Sequence, residues 1–204
     1  KLEAIGVKTI NNIVDITNFI LHDLGQPLHA FDLNQIKNKT IKVRCPKKDT
    51  PFITLDGNQR KLNQDDLMIC DADKEMCIAG VFGGINSGVQ ATTTEIFIES
   101  ALFNPVSTRK TAKRHGLNTD ASFRYERGVD PEMVIPALVK ATQMIIELAG
   151  GKVSSEIIDV HPVKTKNKSF KVNFNGIRKL CGFSLENEQM VDLLSFLDIS
   201  SKLE

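Results

Sequence analysis

The chain predicts a mixed α+β fold, a β-rich sheet or sandwich core surrounded by helices, with a short α/β piece at its C-terminal end. Three observations carry this expectation. Apolar residues at 10, 13, 14, 20, 21 and 24, and again at 134, 135, 138, 141, 145 and 148, recur at helix spacing. Between residues 40 and 99 the pattern changes to period two and to short apolar runs. The 204 residues are 41% apolar and 25% charged, enough for one good core or for one domain plus a small second one.

Each element has its own signal. Thr9 precedes the first helical pattern and Gly25 stops it. Thr17 is the polar intruder on the apolar face of that helix, with Asn18 beside it. Gly25 to Asp32, GQPLHAFD, reads as a loop. Ile41, Val43 and Cys45 alternate with charged neighbours as a strand does, and Phe52 to Leu55 turns at Asp56-Gly57 into Gln59 to Leu62, a hairpin. Leu67 to Cys70 and Met76 to Phe82 are apolar throughout, as strands buried on both faces are. Thr94 to Glu99 is a further strand. Asn104-Pro105 caps and starts a helix that Gly116 ends. Asp120 is placed to cap a short turn, and Asp130-Pro131 opens a long helix closed by Gly150-Gly151. Val153 to Val160 reads as a strand of the core. Residues 161–169 are polar, basic and proline-bearing, a linker pattern, so the domains are expected at 1–165 and 166–204. The second holds a strand (Phe170 to Phe174) and helices near 177–180 and 185–197. The chain opens without methionine and reads as a piece of something larger.

Net charge is +1, which excludes a generally basic nucleic-acid coat; any such contact has to be local. One stretch supplies it. Thr108 to Pro131 carries Arg109, Lys110, Lys113, Arg114, Arg124 and Arg127 against Asp120, Glu126 and Asp130, and holds the lone tyrosine, Tyr125. Two readings stand: a phosphate-bearing partner, or a solvated face with internal pairs such as Arg124 with Asp120. No run is apolar over the ~18 residues a membrane helix needs. The four cysteines form no CxxC pair and the histidine spacing offers no zinc set, so no metal is expected and the thiols read as buried and free in a reducing compartment.

Motif chemistry is sparse. No nucleophile triad can be assembled, Ser87 lacks the spacing of a nucleophile elbow, and Gly80 to Gly84 has no phosphate-loop lysine. Those glycines suit a close approach of backbone to a neighbouring strand or to a ligand. His29 sits beside Leu28 and Phe31, a setting that suits either a structural ring or a working one. Alternation in TEIFIES puts Glu99 on the face of Phe97, where a carboxylate needs a donor from the protein or from a ligand. Thr17 can bond back to a carbonyl one turn earlier or face a site.

In order along the chain stand Asp15-Ile16-Thr17-Asn18-Phe19, Gly25-Gln26-Pro27-Leu28-His29-Ala30-Phe31-Asp32, Leu55-Asp56-Gly57, Ala79 to Gly84, Arg114-His115-Gly116-Leu117, Thr119-Asp120-Ala121-Ser122 and Arg124 to Pro131. This series closely resembles the editing region of the bacterial phenylalanyl-tRNA synthetase beta-subunit family, from about residue 5 to about 160. Residues 168–204 resemble the opening of that subunit's next small module. Phe123 departs from the pattern, standing where many members carry histidine, so no imidazole role is expected there.

The resemblance implies a function. An apolar pocket built for phenylalanine excludes tyrosine by only ~10², so a second site has to hydrolyse tyrosine misattached to phenylalanine tRNA. Carried over by position, that site falls on Thr17, Asn18, His29, Ala79, Gly80, Glu99, Thr119 and Ala121. Glu99 is then the expected acceptor for the phenol hydroxyl, and Ala79, Gly80 and Ala121 the small walls. Thr119 is carried over with the substrate-binding group, while Thr17, Asn18 and His29 are expected to hold water or ester. The resemblance also implies phenylalanine tRNA, the alpha subunit and the rest of the beta subunit as partners, and a cytoplasmic setting without membrane. No cofactor is expected in this piece; ATP and magnesium are expected to serve ligation at the alpha subunit. The alternative is a non-catalytic RNA-binding or subunit-docking module, with Arg109, Lys110, Lys113, Arg114, Arg124 and Arg127 facing the RNA.

Overall fold

A computed structural model describes residues 1–161 and 168–202, and its contacts divide the chain into two compact units, Lys1–Ile158 and Asp159–Glu204. The fold is mixed α+β. Most of the expected linker, residues 162–167, lies outside the described residues.

The first unit opens with helix α1 (Asn12–Leu24). Asn11, not Thr9, is its cap: the Asn11 side chain accepts from the Val14 N–H at 2.9 Å. The stretch expected as a loop contains strand β1 (Leu28–Asp32), which pairs antiparallel with β8 (Ile96–Ser100). Local pattern could not reveal β1, because its partner lies far along the chain. Between these two run β2 (Lys42–Arg44), the hairpin β3 (Pro51–Ile53) with β4 (Gln59–Lys61), then β5 (Met68–Cys70), β6 (Glu75–Ile78) and β7 (Phe82–Gly83). They make a four-stranded sheet in the order β2-β5-β6-β7 and a separate β3–β4 pair. The core is therefore several small sheets rather than one large one.

Helices α2 (Pro105–His115), α3 (Asp120–Tyr125) and α4 (Val134–Ala149) follow. α2 starts as the Asn104-Pro105 signal demands, with Asn104 accepting from Ser107 N–H at 3.0 Å. α3 is capped by Thr119, not Asp120: the Thr119 hydroxyl accepts from Ser122 N–H and the Ser122 hydroxyl accepts from Thr119 N–H, both at 3.0 Å. Asp130 caps a 3₁₀ turn, Pro131–Met133, that leads into α4. Residues 153–160 form no strand; Val153 and Ile158 are exposed and no ladder reaches them among the described residues.

Period two gives the β1–β8 ribbon two distinct faces. Leu28 packs on the α1–α4 seam of Ile16, Ile20, Ala137 and Ala141, and Ser100 donates to the Val134 carbonyl at 2.6 Å. The other face carries Phe31 and Phe97 into a cluster with Ile69, Met76, Cys77 and Tyr125. Cys70 and Cys77 are buried as expected, whereas Cys45 and Cys181 are exposed; all four are free thiols.

The second unit holds α5 (Phe174–Cys181) and α6 (Asn187–Ser195). The expected strand at 170–174 is absent among the described residues. Phe170 and Val172 are exposed, and Asn173 instead caps α5 by accepting from the Asn175 and Gly176 N–H groups.

Candidate functional site

The inner face of the β1–β8 ribbon sets His29 directly opposite Glu99 and Phe31 opposite Phe97. Phe31 is fully buried, meets the His29 ring edge-on at 4.4 Å, and lies 6.1 Å from the Phe97 ring. The surroundings of both polar groups are therefore apolar.

Burial pushes the Glu99 carboxyl up to about 8. Protein packs around it, yet the residue is half-buried and keeps some accessible surface. Among the described residues no hydrogen bond or ion pair reaches its carboxyl group. Burial also lowers His29 to about 4, and its Nε2 is buried without a partner. At neutral pH both groups are therefore mostly uncharged, which accounts for the absence of an ion pair between facing residues. Buried polar atoms are normally hydrogen-bonded, so the open Nε2 of His29, facing the unpaired and half-buried Glu99, marks a place suited to a polar ligand or water.

The neighbours feel the acid. Burial raises the Cys77 thiol and the Tyr125 phenol well above their ordinary values, and the nearby Glu99 charge adds to both. Ala79 is buried in this cluster and Ala121 packs against it. Gly80 has φ +68°, and a Cβ there would lie 2.7 Å from the Phe103 ring and 3.0 Å from Tyr125. Its close backbone approach is to these two aromatic rings of the protein. At Gly83 a Cβ would lie 3.0 Å from His29 Cε1 and 2.9 Å from Leu55 Cδ1, so the missing side chain makes room for the imidazole.

The structure thus brings His29, Ala79, Gly80, Glu99 and Ala121 around one cluster. Thr119 reaches it through the backbone, its hydroxyl donating to the Val81 carbonyl at 2.9 Å. Thr17 is buried in α1 and donates to the Val14 carbonyl at 2.8 Å. Asn18 is half-buried on the same helix, and neither residue bonds to His29 or Glu99.

Gln26 had no signal in the sequence. Its amide is buried; Nε2 donates to Ala101 at 2.8 Å and to Pro27 at 3.2 Å, the two carbonyls that the Tyr125 hydroxyl also reaches at 3.2 Å. Gln26 Oε1 is buried without a partner. Only burial and long-range packing mark this residue and Cys77, and neither quantity is local to the sequence.

The basic run splits in two. Asp66 is fully buried and accepts from Arg114, from His115 Nε2 at 2.7 Å, from Thr111 at 3.1 Å and from the Asn63 N–H at 2.7 Å. Arg60 donates to the His115 carbonyl at 2.6 Å. Arg124 donates to the Asp120 carbonyl at 2.9 Å and lies 3.2 Å from His22 Nδ1. Arg127 pairs with Glu126 at 2.5 Å and covers the Phe123 ring at 3.6 Å. Arg109, Lys110 and Lys113 are exposed and have no ion pair among the described residues. Also among those residues, no three His, Cys, Asp or Glu side chains are grouped to hold a metal ion, and no helix is long and apolar enough to cross a membrane.

Residues 1–150 match the model of the B3/4 domain family. The chain is 49% identical over 199 residues to the phenylalanine--tRNA ligase beta subunit of Bacteroides fragilis, covering 98% of this chain and 24% of that protein. It is 50% identical over 200 residues to that of Porphyromonas gingivalis, with the same shares. The chain therefore spans about a quarter of the length of these relatives. A crystal structure of an N-terminal fragment of the phenylalanyl-tRNA synthetase beta subunit from Pyrococcus horikoshii aligns at TM-score 0.49 and 16% identity, over 94% of this chain and 56% of that one.

Proposed function

The chain belongs to the B3/4 domain family, and from that premise we propose that it is the editing region of a phenylalanine tRNA synthetase beta subunit, hydrolysing tyrosine misattached to phenylalanine tRNA. Residues 1–165 are the editing domain in this reading and 166–204 the start of a second small module. The observation that carries it is Glu99, a carboxyl group beside an apolar cluster with no bond from the described residues.

A phenol hydroxyl supplies what that group lacks. Mostly protonated near pH 7, Glu99 can both accept from and donate to it. Phenylalanine in the same place leaves the carboxyl unpaired, at a cost of ~1–3 kcal/mol. Selectivity thus runs against tyrosine by the logic that an apolar synthetic pocket cannot use.

Hydrolysis needs little more than placement. Water adds to the ester carbonyl, the carbon–oxygen bond to the ribose breaks, and the ribose oxygen takes a proton. His29, held at about 4, is a weak base but a good acceptor, so it orients the water rather than strongly deprotonating it. Asn18 has its amide available for the ester carbonyl or the ammonium group. Thr17, whose hydroxyl donates to the Val14 carbonyl, keeps its oxygen free to accept from a water or the ammonium group. Ligation, with ATP and magnesium, belongs in this reading to the alpha subunit, and the working enzyme is cytoplasmic.

The test compares tyrosyl and phenylalanyl esters of the same tRNA with the parent synthetase and its Glu99→Ala variant. Tyrosyl ester hydrolysis is expected to fall by ~10–100-fold, in line with a lost hydrogen bond to substrate. An unchanged rate removes the hydroxyl acceptor and the reading with it.

A second reading, a non-catalytic RNA-docking module, is favoured by exposed Arg109, Lys110 and Lys113. It expects salt-sensitive tRNA binding with no ester hydrolysis, and Arg114, Arg124 and Arg127 contribute less because they already have protein partners.

A further inference from the structure

Two hollows meet along one flank of α2. The inner one, about 100 Å³, has Cys45, Leu67, Ala79, Phe103 and Thr108 in its walls. The outer one, about 270 Å³, adds Val106, Lys110 and Arg114. Asp65, Asn104, Ser107 and Thr111 line both, so the two run together as one groove. Its floor is apolar, its mouth is cationic, and it holds a single carboxylate. Only Ala79 is shared with the residues assigned to the ester pocket, and nothing in the proposed hydrolysis uses the rest.

Among the described residues the mouth offers one unpaired charge and the spare donors of a paired guanidinium. Lys110 is exposed and unpaired among the described residues. Arg114 gives one amino group to Asp66 and retains further N–H donors. Among the described residues Asp65 has only its backbone N–H engaged, by Asn63 Oδ1 at 3.0 Å, and no cation pairs with its carboxylate. Asn104 spends its oxygen on the helix cap and keeps its NH₂ group.

We propose that this groove binds a 5′-phosphorylated nucleoside, with its phosphate on Lys110 and Arg114, its ribose hydroxyls on Asp65 and its base over Leu67 and Phe103. Two cations at one end suit a phosphate, and a carboxylate accepts from a vicinal diol. The combined space is that of a small ligand pocket, on the order of 300 Å³. The nucleotide is either free or one unit of an RNA strand. The proposal does not involve Glu99 or ester hydrolysis, so it stands or falls apart from the editing reading.

Cys45 provides the readout, since its exposed thiol lines the inner hollow while exposed Cys181 lies in the second unit. The intact chain is alkylated with iodoacetamide, and both sites are followed by mass spectrometry with AMP, adenosine, inorganic phosphate or a short single-stranded oligoribonucleotide present. AMP is expected to slow Cys45 about tenfold at saturation and leave Cys181 unchanged, with adenosine and phosphate each protecting less than about twofold. Protection is expected to vanish in Lys110→Glu, a change at an exposed position. Protection by the oligoribonucleotide at lower concentration than AMP assigns the site to RNA; protection by AMP alone assigns it to a free nucleotide. Protection by neither, equal protection by phosphate, or protection that survives Lys110→Glu overturns the proposal.

Discussion

Asp66 is fully buried and Glu99 half-buried, and the two carboxylates sit in opposite situations. Asp66, where α2 meets the sheets, receives four donors, two from basic side chains, one from a hydroxyl and one from a backbone N–H. Glu99, on the β1–β8 ribbon, receives none from the described residues, and the imidazole that faces it across the ribbon is neutral. A carboxylate supplied entirely by its own protein holds elements together. One left unsupplied is costly to keep and has value only toward a group that comes from outside. The basic run divides in the same way. Arg114 gives part of its guanidinium to the Asp66 network, whereas Arg109, Lys110 and Lys113 are exposed with no ion pair among the described residues.

The contrast breaks most readily at Asp66. Asp66→Ala strands Arg114 and His115 and is expected to cost about 3–5 kcal/mol in denaturant unfolding of the chain. A loss below about 1 kcal/mol makes the network ornamental and the contrast empty.

Glu99 has the opposite sign. The folded state keeps its proton up to about 8 while the unfolded chain releases it near 4.5, so the folded state holds more protons in between. Stability therefore declines as pH rises from 4.5 to 8 and levels off above. Glu99→Gln lacks this decline and should gain on the wild type by about 3 kcal/mol between pH 5 and 8.5. Parallel unfolding curves at the two pH values contradict it.

His29 completes the pair on the acid side. Its folded value of about 4 lies below the unfolded 6.5, so the unfolded chain takes up a proton first and stability falls as pH drops from 6.5 to 4. His29→Gln should remove about 2 kcal/mol of that acid sensitivity, read from thermal melts at pH 4.5 and 7. The smallest effect is at Arg127, whose ring contact and ion pair are exposed. Arg127→Ala is expected to cost only about 0.5 kcal/mol in the same melts.

Much of the helical framework was legible because its signals are local. Asn104-Pro105, Gly116 and Gly150 mark helix ends by side-chain and backbone chemistry that acts within one turn. The alternation in TEIFIES likewise set Glu99 beside Phe97. What escaped depends on partners distant in sequence. β1 is a strand because Ile96–Ser100 lies alongside it, and residues 153–160 form none because no strand among the described residues pairs with them. Thr119 displaced Asp120 as a cap through a reciprocal bond with Ser122, a choice between adjacent candidates that composition does not decide. At the site, the apolar setting of Glu99 was readable. The open Nε2 of His29, the buried Gln26 amide and the Asp66 network were not, since each is a property of three-dimensional neighbours.

The β1–β8 ribbon has a consequence for remote change. Its outer side rests on α1 and α4, where Ala137 and Ala141 are wholly enclosed and leave no slack for a larger group. Adding bulk there presses on a ribbon of two strands, and the pressure is delivered to the imidazole and the acid on the far side. The geometry of the His29–Glu99 pair can then be disturbed through an alanine that does not touch it.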